Sequence, residues 1–380
     1  MTQFTTRTVS PFRYDVVGSF LRPQELKEAR AKFAQGQISQ DELTAVEDKC
    51  IVELIKKEEA AGLKAVTDGE FRRSYWHLDF FWGLQGVSHV NLKHGYFFHD
   101  EETRNDSAQV TGKIRGKNHP FVEHFKFVRD HVSHGIQVKQ TIPAPAQFLE
   151  ELIRPENQES VKAAYSNLDD LDHDVAAAYH QVIEDLYAAG CRTLQLDDCT
   201  WGISVNNFAN LKKKDPNADT SQLKELQERF LRVNNEAIAD LPEDLTVNTH
   251  VCRGNYHSTW AAAGGYGPVA DTLFAQENVN AFYLEYDSDR AGGFEPLAKV
   301  PDDKYVVLGL VTSKTGDLED PDAIVERIKE AAKFHPLDKL CLSPQCGFAS
   351  TEEGNILTEE QQWAKVKLVE DIAKQVWDLD

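Results

Sequence analysis

Short apolar runs alternate with longer amphipathic segments along this chain. Eight runs have the length and content of buried strands, at residues 14–18, 63–67, 136–142, 192–197, 245–250, 279–284, 304–310 and 338–342. Segments with the spacing of helices separate most of them, at 24–35, 40–61, 121–132, 168–189, 218–239, 321–334 and 358–377. Strands that alternate with helices pair in parallel, and eight of them predict closure into a (β/α)8 barrel, the TIM-barrel fold.

The alternation breaks between residues 74 and 119. This stretch opens with an aromatic cluster of Tyr75, Trp76, Phe80, Phe81 and Trp82, and the alternating runs 87–90 and 110–114 favour a hairpin. We interpret it as an insertion after the second strand of a single catalytic domain that spans residues 1–380. The aromatic side chains either cover part of a pocket or simply pack the insertion onto the barrel, and the sequence leaves both interpretations open.

Composition narrows the class of partner. The chain has 380 residues and a formal net charge of −21, which argues against nucleic acid and anionic membrane surfaces. No apolar stretch approaches membrane-spanning length. The six cysteines show no disulfide framework and no secretory signal is recognisable, so we expect reduced thiols and a cytoplasmic protein.

Candidate metal ligands follow the later apolar runs. His250 and Cys252 are separated by one residue, so on a strand end their side chains share a face. Glu285 ends the next run and Cys346 follows the last one. The carboxyl ends of barrel strands meet at one face, and zinc suits a set of nitrogen, sulfur and carboxylate ligands. We therefore predict a Zn2+ site. The other strand-end thiols, Cys191, Cys199 and Cys341, are interpreted as small core residues.

Three polar residues at the ends of earlier runs predict a second function for the same face. Ser19, Glu70 and Asp197 each follow an apolar run. Two carboxylates that converge on a pocket can bind an ammonium group, and with the Ser19 region they could hold an amino acid at both ends. The alternative is that Glu70 and Asp197 are ion-pair partners of nearby arginines, namely Arg22, Arg72 or Arg73.

At these residues nearly the whole chain resembles the cobalamin-independent methionine synthases, in particular their catalytic barrel and their short single-barrel members. In that family a His-x-Cys pair, a Glu and a Cys bind zinc, which implies that role for His250, Cys252, Glu285 and Cys346. The resemblance also implies that L-homocysteine is bound by Val17, Gly18, Ser19, Glu70 and Asp197, and that Lys314 stands where the family has its proton-donating His. The implied reaction is methyl transfer to homocysteine, forming methionine.

The methyl donor is less well defined than the thiol. The resemblance implies methyltetrahydrofolate or another carrier, but the positions that contact folate in longer members fall near Pro145 and Ile203, where this sequence departs from them. Two alternatives stay open. One is another zinc-thiolate alkyl transfer, linked to coenzyme M or a corrinoid; the other is a non-catalytic zinc-binding barrel. A homo-oligomer is also left open.

Overall fold

The computed structural model describes residues 4–379, and its central feature is a curled parallel sheet. Seven strands form this sheet in the order β1-β4-β5-β6-β7-β8-β9, and β2 pairs with β3 in a separate antiparallel hairpin. The strands are β1 (Ala65–Val66), β2 (Gln85–Asn91), β3 (Asp106–Arg115), β4 (Gln137–Pro143), β5 (Thr193–Asp198), β6 (Thr246–Val251), β7 (Ala281–Glu285), β8 (Tyr305–Val311) and β9 (Leu340–Pro344). The architecture is an α/β fold consistent with a TIM-like barrel.

Helices lie before the parallel sheet, between most of its consecutive strands, and after its last strand. They are α1 (Gln24–Ala34), α2 (Gln40–Ala60), α3 (Leu78–Gly83), α4 (Phe121–Arg129), α5 (Pro145–Leu152), α6 (Gln158–Ala164), α7 (Leu168–Ala188), α8 (Thr200–Lys214), α9 (Ser221–Ala237), α10 (Gly267–Ala270), α11 (Leu273–Gln276), α12 (Pro321–Ala331) and α13 (Glu359–Trp377). Short 3-10 helices lie at Pro155–Asn157, Asp289–Ala291, Glu295–Lys299 and Leu337–Lys339. Side-chain caps begin α2 at Ser39 and α13 at Thr358, each within a capping box.

Strands of the sheet overlap seven of the eight predicted runs. The remaining run, 14–18, is represented by a parallel bridge between Tyr14 and Leu342 of β9. Two backbone hydrogen bonds accompany the bridge, from Asp15 N to Leu342 O at 3.0 Å and from Leu342 N to Arg13 O at 2.9 Å. The amino-terminal segment therefore lies beside the last strand, although it does not continue as a regular ladder.

Residues 74–119 contain α3 and the β2–β3 hairpin. Their aromatic residues divide between the two roles that the sequence left open. Phe80 and Phe81 are fully buried in the main core, Trp76 lines a cavity, and Tyr75 belongs to the core and also lines that cavity. Helices α5, α6 and α8 lie outside the segments for which the sequence predicted helices.

The parallel strands are buried almost throughout, as expected for a sheet covered by helices. Their apolar side chains form the main core together with inward-facing residues of the surrounding helices. Within residues 4–379, no helix combines the length and the apolar character needed to cross a membrane.

Candidate active site

Four of the predicted site residues converge at the carboxyl ends of neighbouring strands. His250 lies in β6 with Cys252 just beyond it, Glu285 ends β7, and Cys346 follows β9. One ligand atom from each residue lies within 4.8 Å of the others, and all four side chains are buried. The parallel register produces this arrangement because it sets His250 opposite Tyr283, two residues before Glu285. The structure thus brings together the four residues that the strand ends predicted.

The hydrogen bonds around this cluster leave ligand atoms free. The His250 Nδ1 lies 3.2 Å from the carbonyl oxygen of Tyr283, and its Nε2 is buried without a partner. The backbone N–H of Arg253 donates to Glu285 Oε1 at 2.9 Å, while Glu285 Oε2 is also unpartnered. Buried polar atoms without partners are costly, so two of them aimed at one cluster fit a bound cation. In metal sites, the ring nitrogen that does not bind the metal commonly donates to a backbone carbonyl, which fixes the tautomer. His250 Nδ1 has such a partner in the carbonyl oxygen of Tyr283.

The two thiols of the cluster lie against each other as free cysteines. Cys252 Sγ and Cys346 Sγ are 3.7 Å apart. The hydrogen bond that Cys346 shares with Cys252, together with burial, raises the pKa of the Cys346 thiol well above its usual value. Two crowded thiols can lose their protons together only where a positive charge compensates them, so the cluster has the chemistry of a site for a soft metal cation.

Cys199 corrects one interpretation of the sequence. Its side chain was expected in the core, but it lines the same cavity as Cys252 and Cys346. Cys199 interacts with the thiol of Cys252, and this contact is the largest cause acting on the pKa of Cys252, which is raised. The signal was present in the sequence: Cys199 directly follows the strand end at Asp197 and Asp198, in the position that selected the other candidates.

Glu70 and Asp197 meet in this cavity as two buried carboxyl groups. Thr141 Oγ1 donates to Glu70 Oε1 at 3.0 Å, and Arg73 pairs with the same oxygen at 3.2 Å. The ion pair expected as an alternative therefore exists, but it leaves Glu70 Oε2 buried and unpartnered. Burial is the main cause that raises the pKa of both carboxyl groups to about 7, and the charge of Asp197 adds to the effect on Glu70.

The predicted Val17-Gly18-Ser19 segment lies beside these carboxyl groups. Val17 and Ser19 line the cavity, whereas Gly18 does not. Gly18 has a φ of +152°, and a Cβ there would stand 2.8 Å from the Thr141 side chain, so the backbone needs a glycine. Gly347, next to Cys346, is equally constrained, because a Cβ there would overlap the Ser19 hydroxyl.

Lys314 lies one layer behind the cavity. Its side chain is buried, and Nζ donates to Asn255 Oδ1 at 3.2 Å. Asn255 does line the cavity, and its Nδ2 donates to the carbonyl oxygen of Gly347 at 2.8 Å. Sequence reasoning missed Asn255, although it lies only three residues after Cys252. Lys314 itself is outside the set of described residues that line the cavity.

Most of these groups line a single cavity of about 410 Å3; Gly18, Glu285 and Lys314 lie outside its lining. Its polar lining includes Ser19, Glu70, Asp197, His250, Cys252 and Cys346. The arrangement combines a soft metal-ligand set with two carboxyl groups that can accept hydrogen bonds from an ammonium group. It is therefore suited to a small molecule that carries both an amino group and a sulfur atom.

The chain was compared with known families and proteins. The sequence model of the family described as cobalamin-independent synthase, catalytic domain, matches residues 12–375. Uncharacterized protein YxjH of Bacillus subtilis (strain 168) is 45% identical over 369 residues, which cover 97% of this chain and 95% of that protein. A methionine synthase of Sulfolobus acidocaldarius is 23% identical over 336 residues, covering 87% and 84% of the two chains.

Solved structures agree with these sequence matches. A Listeria monocytogenes protein, named as a candidate vitamin-B12 independent methionine synthase, superposes with a TM-score of 0.76 at 38% identity, covering 97% of this chain and 99% of that chain. A B12-independent methionine synthase from Shewanella sp. W3-18-1, in complex with selenomethionine, has a TM-score of 0.68 at 19% identity and covers 96% and 98%. The second likeness concerns the fold alone.

Proposed function

This chain belongs to the cobalamin-independent methionine synthase family, and from that membership we propose that it transfers a methyl group to the thiol of L-homocysteine, forming methionine. One observation carries the proposal. Three members of a buried metal-ligand set, His250, Cys252 and Cys346, line the same cavity as a pair of buried carboxyl groups, so an amino acid held at its ammonium group would direct its sulfur toward the ligand set.

His250, Cys252, Glu285 and Cys346 would hold Zn2+ in this proposal, because they supply the nitrogen, sulfur and carboxylate donors that zinc prefers. When bound, zinc would supply the Lewis acidity that keeps an incoming thiol deprotonated near neutral pH. The protein orients its own ligands: Tyr283 fixes the histidine ring, and the Arg253 N–H fixes the glutamate.

Glu70 and Asp197 would bind the ammonium group of homocysteine. Glu70 lines the cavity and its Oε2 has no partner, so the deprotonated carboxylate can accept a hydrogen bond from the substrate ammonium group, whose positive charge favours that ionised form. Ser19 would contact the substrate carboxylate through its hydroxyl or the adjoining backbone. We further propose that Lys314 supplies a proton to the departing donor, through rearrangement of its contact with Asn255.

The fold proposal is a complete (β/α)8 barrel in a single domain, with residues 74–119 as an insertion. Support for an eighth strand comes from both sides of the segment 14–18. Tyr14 bridges to β9, and on the other side Thr67 Oγ1 donates to the carbonyl oxygen of Gly18 at 2.6 Å. These two contacts support a place for the segment between β9 and β1 in the proposed barrel.

The test is zinc-edge X-ray absorption on the purified protein, with and without homocysteine, together with its metal content. We expect about one zinc per chain, and one additional sulfur neighbour when homocysteine is added. A zinc shell that stays unchanged would contradict the proposal and favour a structural site, which holds four protein ligands and does not exchange them. A new sulfur neighbour with coenzyme M but not with homocysteine would favour the other thiol alkyl transfer.

A further inference from the structure

The cavity has a second side that the proposed reaction does not yet use. Ring-bearing side chains from residues 74–119 line it, and we call it the ring-lined side: Tyr75, Trp76, His77, Tyr96, Phe97 and Phe98. Arg154, two residues after the end of α5, also belongs to the lining of the cavity. This side therefore combines flat apolar surfaces with a guanidinium group.

The guanidinium group of Arg154 is held against the rings. Its central carbon lies 4.8 Å from the centre of the Tyr96 ring. Burial, together with the nearby charge of Arg154, lowers the pKa of His77 to about 3, so the histidine is neutral near neutral pH. His77 Nε2 in turn lies 3.1 Å from Tyr96 Oη. Arg154 is thus a cation fixed on the same rings that line the cavity.

Among the described residues, the one ionic partner of Arg154 is already occupied. Arg154 Nη1 lies 3.5 Å from Glu151 Oε1, at the limit of a hydrogen bond. Glu151 Oε2 accepts a hydrogen bond from Tyr96 Oη at 2.7 Å, and Oε1 accepts another from the Ser107 hydroxyl. An arginine has five N–H donors in a planar fork. Most donors of Arg154 are therefore available to a ligand, and its side chain is 19% exposed.

Arg253 also belongs to the lining, but its guanidinium group is committed elsewhere. It donates to the carbonyl oxygen of Gly264 and lies 4.4 Å from the centre of the Tyr266 ring, which is outside the lining. Its Nε and Nη2 atoms are fully buried. Of the two arginines in the described lining, Arg154 is therefore the one that a ligand can reach.

Two amide side chains add hydrogen-bond donors to the same lining. The backbone N–H of Cys199 donates to Gln147 Oε1 at 3.0 Å, and that of Ala263 donates to Asn206 Oδ1 at 3.2 Å. These contacts fix the carbonyl end of each amide. Within residues 4–379 neither NH2 group has an acceptor, so the lining offers donors to a ligand that supplies the acceptors.

We propose that Arg154 binds a carboxylate group of the methyl donor and thereby selects the donor. The inference rests on the proposed methyl transfer. The guanidinium fork matches the two oxygens of a carboxylate, and the adjoining rings offer a flat surface to the body of the donor. Glu70 and Asp197 remain assigned to the ammonium group of homocysteine. A single negative charge is favoured over the double charge of a phosphate, because both of these carboxyl groups line the same cavity.

A titration separates recognition of the charge from recognition of the shape. 4-Aminobenzoylglycine and its primary amide have the same shape and differ by one negative charge. Each is titrated calorimetrically into the purified protein without homocysteine. We expect the acid to bind about tenfold more tightly, which is the fold change that one charge-assisted hydrogen bond supplies. Equal affinities, or no binding of the acid, would overturn the proposal.

Variants of Arg154 assign the charge preference to this side chain. Arg154→Gln should abolish the preference, whereas Arg154→Lys keeps the positive charge and should retain part of it. Arg104→Gln is the matched control, because the Arg104 guanidinium also lies 4.8 Å from a ring centre, that of Tyr75. Arg104 pairs with Glu352 and Glu353 and is outside the lining. With the fold verified by circular dichroism, a preference that persists in Arg154→Gln, or that is lost equally in Arg104→Gln, would contradict the assignment.

Steady-state kinetics connects Arg154 to the methyl donor. With 5-methyltetrahydrofolate, which carries carboxylate groups, Arg154→Gln should raise the KM for the donor about tenfold and leave the KM for homocysteine unchanged. An unchanged KM for the donor, or a raised KM for homocysteine instead, would overturn the assignment. The titration requires neither homocysteine nor methyl transfer. An inactive protein would therefore count against the proposed function, and the titration alone would then decide whether Arg154 binds a carboxylate.

Discussion

At the scale of single residues, two of the four proposed metal ligands are each oriented by one backbone partner. Tyr283 O positions the His250 ring, and the Arg253 N–H positions Glu285. Cys346 is held differently: the carbonyl oxygen of the next residue, Gly347, accepts hydrogen bonds from Asn255 Nδ2 and Ser313 Oγ at 2.8 and 2.9 Å. The loop that carries the last ligand is therefore clamped by side chains from two other strand ends.

The first residue-scale prediction concerns Cys346→Ser. A serine hydroxyl stays protonated near neutral pH and is a poor zinc ligand, so we expect zinc affinity to fall by at least about tenfold and methionine formation with it. Metal analysis after dialysis and an activity assay provide the measurement. Cys341→Ala is the control, because Cys341 is buried like Cys346 but lies within β9, in a separate apolar cluster. Full zinc content in Cys346→Ser would remove this cysteine from the ligand set.

The second residue-scale prediction concerns pH. Burial raises the pKa of Glu70 and Asp197 to about 7, so below that pH the pair holds protons that an incoming ammonium group must displace. The affinity for methionine, which has no titrating thiol, should therefore rise with pH up to about 7 and then level off. Below pH 6 we expect a change of about tenfold per pH unit for each proton displaced.

Glu70→Gln tests the assignment of this pH dependence. The amide cannot ionise, so the variant should bind methionine more weakly and with a shallower pH profile, while its zinc content stays at the level of the unmodified protein. Isothermal titration between pH 5.5 and 8 supplies the measurement. An unchanged profile in the variant would assign the titration to Asp197, whose pKa burial also raises to about 7.

At the scale of elements, strand ends were the part of the site that sequence could predict. The proposed ligands at the ends of β6, β7 and β9 follow apolar runs that are visible in the local sequence pattern. Their convergence could be predicted because the carboxyl ends of parallel barrel strands meet at one face. The role of Cys199 could not be separated from core packing by residue type. The contacts of His77 with Tyr96 and of Lys314 with Asn255 join distant segments, and no local pattern contains that information.

Helix α8 provides the element-scale prediction. Gly202 lies in its first turn, and a Cβ there would overlap the backbone carbonyl oxygen of Cys252. Alanine in place of glycine usually stabilises a helix by about 1 kcal/mol. Here the added methyl group would force α8 away from the backbone at Cys252, just beyond β6. We expect Gly202→Ala to lower both the thermal midpoint and zinc affinity. Gly267→Ala is the control, since a Cβ there meets no atom within 4 Å; equal behaviour of the two variants would contradict the argument.

At the scale of the whole molecule, the two ends of the chain are joined through the last strand. Arg13 pairs with Asp338 at 2.6 Å, Tyr14 bridges to Leu342, and α13 packs against β9. The loop after β9 then carries Cys346 into the cluster with ligands from β6 and β7. Any unfolding that opens the sheet at β9 therefore also disperses the ligand set.

This connection predicts that zinc and the fold are lost together. Stripping the metal with a chelator should lower the midpoint of unfolding in a single cooperative transition, because a ligand that binds only the folded state stabilises it by about 4 kcal/mol at a thousandfold excess over its Kd. Differential scanning calorimetry of stripped and reloaded protein measures the effect, and Cys346→Ser should resemble the stripped form whether or not zinc is added. Two separate transitions would contradict a single domain, and they would place the metal site in only one of the units. An unchanged midpoint on reloading would mean that the ligand set binds no zinc in the folded protein.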